Sequence, residues 1–120
     1  MEYEGQDRRQ NIRIYKNFIL SYYRKDNPAL KFDISQLNNI SRGGMRFIAT
    51  HTFEHKTELV VELKTPFLAD VIRLDGYVVG AHEKIPNMLY DIRLVFTNLS
   101  LQAREVLIKL EHYGQEKEQG

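Results

Sequence analysis

At 120 residues, with 42% apolar and 28% charged side chains, the chain has the size and make-up of one globular domain with a single core. It has no cysteine, which excludes disulfides, thiolate metal sites and cysteine nucleophiles, and no run approaches the roughly 18 apolar residues of a spanning helix. The net charge of +1 hides an asymmetry: residues 8–25 carry Arg8, Arg9, Arg13, Lys16, Arg24 and Lys25 with no acid, whereas Glu111, Glu116 and Glu118 crowd the last ten residues around Lys117.

The opening residues 1–7 are polar and acidic, unlike a secretory signal, and together with the missing cysteines they favour a cytoplasmic location. Ile12–Tyr23, rich in Ile, Tyr and Phe, is expected to form a first strand. Asn27-Pro28 breaks it. Ala29–Ile40 is expected as a second strand, with Leu30, Phe32 and Ile34 on one side, and Gly43-Gly44 as a tight turn. Met45–Ala49 begins a third strand, and Leu59–Leu63 makes a fourth whose apolar side fits either the core or a partner edge. Val71–Val79 is a fifth strand, with Gly76 marking a bulge or bend, and Tyr90–Phe96 is a sixth.

The period then changes. Leu99, Ala103, Val106, Leu107, Leu110 and Tyr113 recur every three or four residues, the stripe of an amphipathic helix. Asn98 or Ser100 can cap its start, and Gly114 stands where a helix commonly stops. Strands at roughly ten-residue spacing followed by one helix predict a mainly β fold: a six-stranded antiparallel barrel whose mouth or edge the helix covers. The expected organisation is a flexible stretch 1–7, a domain 8–113 and a polar tail 114–120.

Two polar motifs stand out against this frame. Arg8-Arg9-Gln10-Asn11-Ile12-Arg13 gathers three guanidinium groups, and Asn39-Ile40-Ser41-Arg42-Gly43-Gly44 offers an amide, a hydroxyl and a glycine pair. Arginine grips phosphate and guanine with two-pronged geometry and stacks on bases. Glycine lets backbone N–H groups approach a ligand closely. In an extended arm Arg9 and Arg13 lie about 13–14 Å apart, suiting the two ends of a dinucleotide; in a curled arm they converge on one group. Asn39 and Ser41, two apart, share a face if the segment is a strand. Taken singly, the arginines also fit a solvated charged face, and Asn-x-Ser before Gly-Gly also fits a capped turn.

Together, and on this pattern of strands and helix, the motifs resemble the PilZ domain, the bacterial receptor module for cyclic di-GMP, over residues 7 to 113. The family pattern is Arg-x-x-x-Arg in an N-terminal arm, matched by Arg9 and Arg13, then Asp/Asn-x-Ser-x-x-Gly, matched by Asn39, Ser41 and Gly44. Asn39 is the less common of the two residues allowed at its position. The resemblance implies that Arg9 and Arg13 contact the phosphates and guanine, and that Asn39 and Ser41 read a guanine edge. It further implies that Gly43 and Gly44 admit the ligand to the backbone. Arg8 before the motif inclines toward two ligands per chain, and Arg42 and Arg46 are additional candidates. No cofactor beyond cyclic di-GMP is implied. The expected partners are this ligand and a downstream protein, without membrane insertion and without nucleic acid.

Three other readings were open. An enzyme is disfavoured: Ser41 lacks a nucleophile elbow, and neither His51-x-x-x-His55 nor His82-Glu83-Lys84-Ile85-Pro86 makes a zinc-protease motif. His51 and His55 are expected as surface histidines in a strand connection. A single-stranded nucleic-acid binder would use Tyr15, Tyr22 and Tyr23 as a stacking surface. The third is a PilZ-like module devoted to protein contacts alone.

Overall fold

Along Glu58–Lys64 every second side chain joins one core: Leu59, Val61 and Leu63 point inward, while Glu58, Val60, Glu62 and Lys64 face the other way, Val60 being buried on that side too. That two-residue period runs through most strands of the computed structural model, which describes residues 18–66 and 68–119, with 112–119 by backbone alone. The strands are β1 (Ile19–Arg24), β2 (Phe32–Asp33), β3 (Leu37–Ile40), β4 (Gly44–Ala49), β5 (Glu58–Lys64), β6 (Ile72–Ile85) and β7 (Leu89–Thr97), followed by the helix α1 (Leu101–Gln119). All pair antiparallel in one sheet of order β2-β1-β5-β6-β7-β4-β3.

The sheet has seven strands where six were expected, because the run 29–40 is two strands rather than one. β2 lies at one edge of the sheet and β3 at the other, with residues 34–36 between them. Ile34 still donates its N–H to Leu20 of β1, whereas the Gln36 carbonyl already accepts from Ile48 of β4. Four peptide steps reach at most about 14 Å, so two edges joined this way force the sheet to curl until they nearly meet. The curl produces the expected barrel-like form. The inward phase slips there too: Phe32 and Ile34 pack on the core, then Leu37 and Ile40, three residues apart each time, take over. Asn38 is the extra residue of a bulge between Leu37 and Asn39. Leu30, expected on the same side as Phe32 and Ile34, does not join them on the core and is exposed after the turn at Pro28.

β5 lies between β1 and β6, so Leu59, Val61 and Leu63 are core rather than a partner edge. Gly76 stays in register with Leu59 and Phe96; a Cβ there would lie 2.5 Å from the Val95 carbonyl oxygen, so its role is close packing and not a bulge. The irregularities of β6 come further on, between Val78 and Gly80 and between Glu83 and Ile85.

Ser100 caps α1 by accepting the Ala103 N–H at 3.0 Å. Asn98, the other candidate, adopts a left-handed turn conformation before it. Ala103, Val106, Leu107 and Leu110 are buried in the same core as the inward strand residues, so the helix closes the open side of the curled sheet. The helix continues past Gly114 to Gln119. A glycine costs a helix about 1 kcal/mol relative to Ala but ends it only by adopting a cap conformation, and the following Gln-Glu-Lys-Glu-Gln run favours helix. Among the described residues no helix is long and apolar enough to cross a membrane.

Candidate functional site

The second motif forms the hairpin between β3 and β4. Ile40 pairs with Met45 in the core, and Asn39 pairs with Arg46 on the outer face. Asn39 and Ser41 flank the buried Ile40, and both are exposed, as strand alternation predicts. The Ser41 N–H donates to the Gly44 carbonyl at 2.9 Å, leaving Arg42-Gly43 as the loop. Gly43 donates its N–H to Ser41 Oγ at 3.2 Å, so the hydroxyl stabilises the turn as an acceptor and keeps its own proton to donate.

The two glycines differ in role. A Cβ on Gly44 would run into the backbone carbonyl of Leu94, so this glycine is required where β4 lies against β7. A Cβ on Gly43 would meet only Ser41 Oγ, at 3.8 Å, and Gly43 is the exposed member of the pair.

The turn is anchored from two further directions. Phe96 of β7 donates its N–H to the Gly43 carbonyl at 3.0 Å. Glu111 of α1 accepts the Arg42 backbone N–H at 2.9 Å and its Nε and Nη2 at 3.2 Å each. Arg42 therefore has a structural partner that sequence inspection missed; the two residues are 69 apart, and no local pattern links them. Arg46 is also paired: its Nη2 donates to Asp91 Oδ2 at 2.7 Å, and this bond raises the guanidinium further above its ordinary value. Arg46 Nε and Asp91 Oδ1 are buried without a hydrogen-bond partner. Arg8, Arg9 and Arg13 lie outside the described residues, so the arm and the hairpin are not seen together.

The histidine expectation needs correction. His51 is half-buried within a ring cluster, 4.5 Å from Phe32 and 5.0 Å from Phe53 between centroids, and its Nε2 lies 3.0 Å from the Tyr22 hydroxyl. Desolvation lowers its pKa, and burial pushes that of Tyr22 up to about 12. His55 is exposed as expected, its Nε2 3.1 Å from the Val79 carbonyl. Tyr22 and Tyr23 are both buried, at 2% and 8% exposure, so they offer no open stacking surface. Among the described residues no histidine hydrogen-bonds to Ser41, and no group of three or more His, Asp or Glu side chains is placed to hold a metal.

The sequence pattern of the PilZ domain matches residues 7–111. The fold is similar to that of the Bacillus subtilis inhibitor of motility (MotI/DgrA), with a TM-score of 0.60 at 11% identity, over 84% of this chain and 46% of that one. The likeness is therefore one of fold, and this chain spans about half the length of that structure, 46%. No curated protein matches the chain. PilZ domains are in general receptors or adaptors that bind cyclic di-GMP and partner proteins. With the family pattern running from residue 7 into the C-terminal helix, and a curled antiparallel sheet closed by that helix, the chain belongs to the PilZ domain family.

Proposed function

We propose that this chain is a cytoplasmic receptor for cyclic di-GMP that carries out no chemistry of its own. The observation that supports this reading best is the β3–β4 hairpin: Asn39 and Ser41 are exposed side by side on a turn fixed by β7, by Glu111 and by its own serine. A reader held this rigidly loses little conformational freedom on binding, which favours affinity. Arg9 and Arg13 supply the phosphate and guanine contacts from the arm, and Arg8 adds charge for a second, intercalated ligand. An arm with three arginines and no acid is costly to order without an anion, so the ligand orders it against the barrel and changes the surface a downstream protein meets. Only differential affinity for the two arm states drives such a switch.

Competition binding tests the reading. A fluorescent cyclic di-GMP displaced by unlabelled cyclic di-GMP, and not by GTP or a single-stranded oligonucleotide at the same concentration, is the expected result. Displacement by the oligonucleotide with steep salt dependence, and no preference for the cyclic dinucleotide, overturns it.

A further inference from the structure

The register of the sheet places a row of residues across its outer face. Asn39 of β3 is directly opposite Arg46 of β4, Arg46 is opposite Arg93 of β7, and Arg93 is opposite Gly80 of β6. Residues directly opposite one another share a face, and this one carries no core side chain at these positions: Met45, Phe47, Ile92 and Leu94 point the other way. Two arginines directly opposite each other repel. Arg46 is compensated by Asp91, but that carboxylate is the only acid in contact with either guanidinium among the described residues, and Arg93 has no ion pair there. Arg93 is exposed, and its stem lies along Gly80, where an added Cβ would meet Arg93 Cδ at 3.4 Å. The missing side chain at Gly80 thus lets the Arg93 stem lie close against β6, with its guanidinium unpaired among the described residues.

Adjacent strands are about 4.8 Å apart, so a ligand seated on Asn39-x-Ser41 and extending across β4 reaches Arg93 within about 10 Å. A cyclic dinucleotide joins two phosphodiesters and two bases in one ring. Its span is enough for groups not held at the hairpin to reach along the sheet to β7. We propose that Arg93 is a ligand-binding residue of this site, its guanidinium taking a phosphate of the cyclic dinucleotide at the end of the row away from Asn39. The inference rests on the proposed function and extends its site onto β7 and β6. An anion between Arg46 and Arg93 turns a repulsive pair into two charge-assisted contacts.

Calorimetric titration of the full chain with cyclic di-GMP, for wild type, Arg93→Ala and Arg93→Gln, provides the test. The glutamine variant keeps a long stem over Gly80 and removes only the charge. Both variants are expected to keep the wild-type urea midpoint and to lose about ten- to a hundredfold in affinity, the difference narrowing at high salt. Wild-type affinity in Arg93→Gln overturns the inference and leaves the proposed function standing. Absence of binding by folded wild type overturns both. Loss of oligonucleotide binding on substitution, in a protein that ignores cyclic di-GMP, also counts against both.

Discussion

Glu111 of α1 grips Arg42 at the tip of the β3–β4 hairpin, accepting the backbone N–H at 2.9 Å and the guanidinium at 3.2 Å through both carboxylate oxygens. The pair is half-open to water, 53% exposed on the arginine side and 26% on the glutamate side, so its value is modest. Glu111→Ala and Arg42→Ala are each expected to cost about 0.5–1.5 kcal/mol. The double variant should cost little more than Glu111→Ala alone and less than the sum of the two singles, because both remove the guanidinium–carboxylate contact while only Glu111→Ala also loses the bond to the Arg42 backbone N–H. Urea unfolding measures the cycle, and strict additivity would show that the two residues act independently.

The glycine pair separates steric need from openness. Gly44→Ala puts a methyl group into the Leu94 carbonyl and is expected to destabilise by about 1–3 kcal/mol. Gly43→Ala meets only a serine oxygen at van der Waals distance, and neither glycine has a positive φ, so its stability should stay within about 0.5 kcal/mol of wild type. Thermal unfolding of the two variants side by side distinguishes them; equal losses contradict this account of Gly44.

Helix docking predicts a sharp contrast between neighbours. Leu107 is wholly buried in the core, and Ile108 beside it is 38% exposed. Leu107→Ala should cost about 2–5 kcal/mol through lost burial and the cavity left behind. Ile108→Ala should cost much less than that by the same chemical denaturation measurement.

His51 gives stability a pH dependence. Burial lowers its folded pKa below the ordinary value of 6.5, so between those two values the unfolded chain binds more protons than the folded one. Stability is therefore full above the ordinary value and falls as pH drops toward the folded one. The groups around the ring are the Tyr22 hydroxyl, Thr50 Oγ1 and the rings of Phe32 and Phe53, with no acid among them to hold a proton on the imidazole. Unfolding temperatures at pH 7.5 and 5.0 should differ less in His51→Phe than in wild type. An unchanged difference would show that His51 is not the group responsible.

Most of the fold was legible because alternation and helical spacing are local signals. Leu59-Val60-Val61-Glu62-Leu63 and Tyr90–Phe96 announce strands, and Ala103, Val106, Leu107 and Leu110 announce a helix face. The split of 29–40 was harder to see, since no glycine or proline interrupts Ile34-Ser35-Gln36. Its only mark was the slip in phase from Ile34 to Leu37. The hairpin of the site was legible from Asn-x-Ser and Gly-Gly, yet not the reason for Gly44, which depends on the Leu94 backbone from a distant strand. Glu111 and Asp91 were likewise invisible as partners of Arg42 and Arg46, because tertiary pairing leaves no spacing rule in the chain. His51 looked like a surface residue because its partners, Tyr22 and Phe32, come from other elements.

Titration calorimetry with cyclic di-GMP, on wild type, Arg9→Ala and Asn39→Ala, addresses the central claim most directly. The account predicts saturable heat for wild type at micromolar concentrations and about ten- to a hundredfold weaker binding for Arg9→Ala. It also predicts a measurable loss for Asn39→Ala at unchanged stability, and more than one ligand per chain if Arg8 supports an intercalated pair. A folded wild-type chain that gives no heat with the ligand, or variants that bind as tightly as wild type, would contradict it.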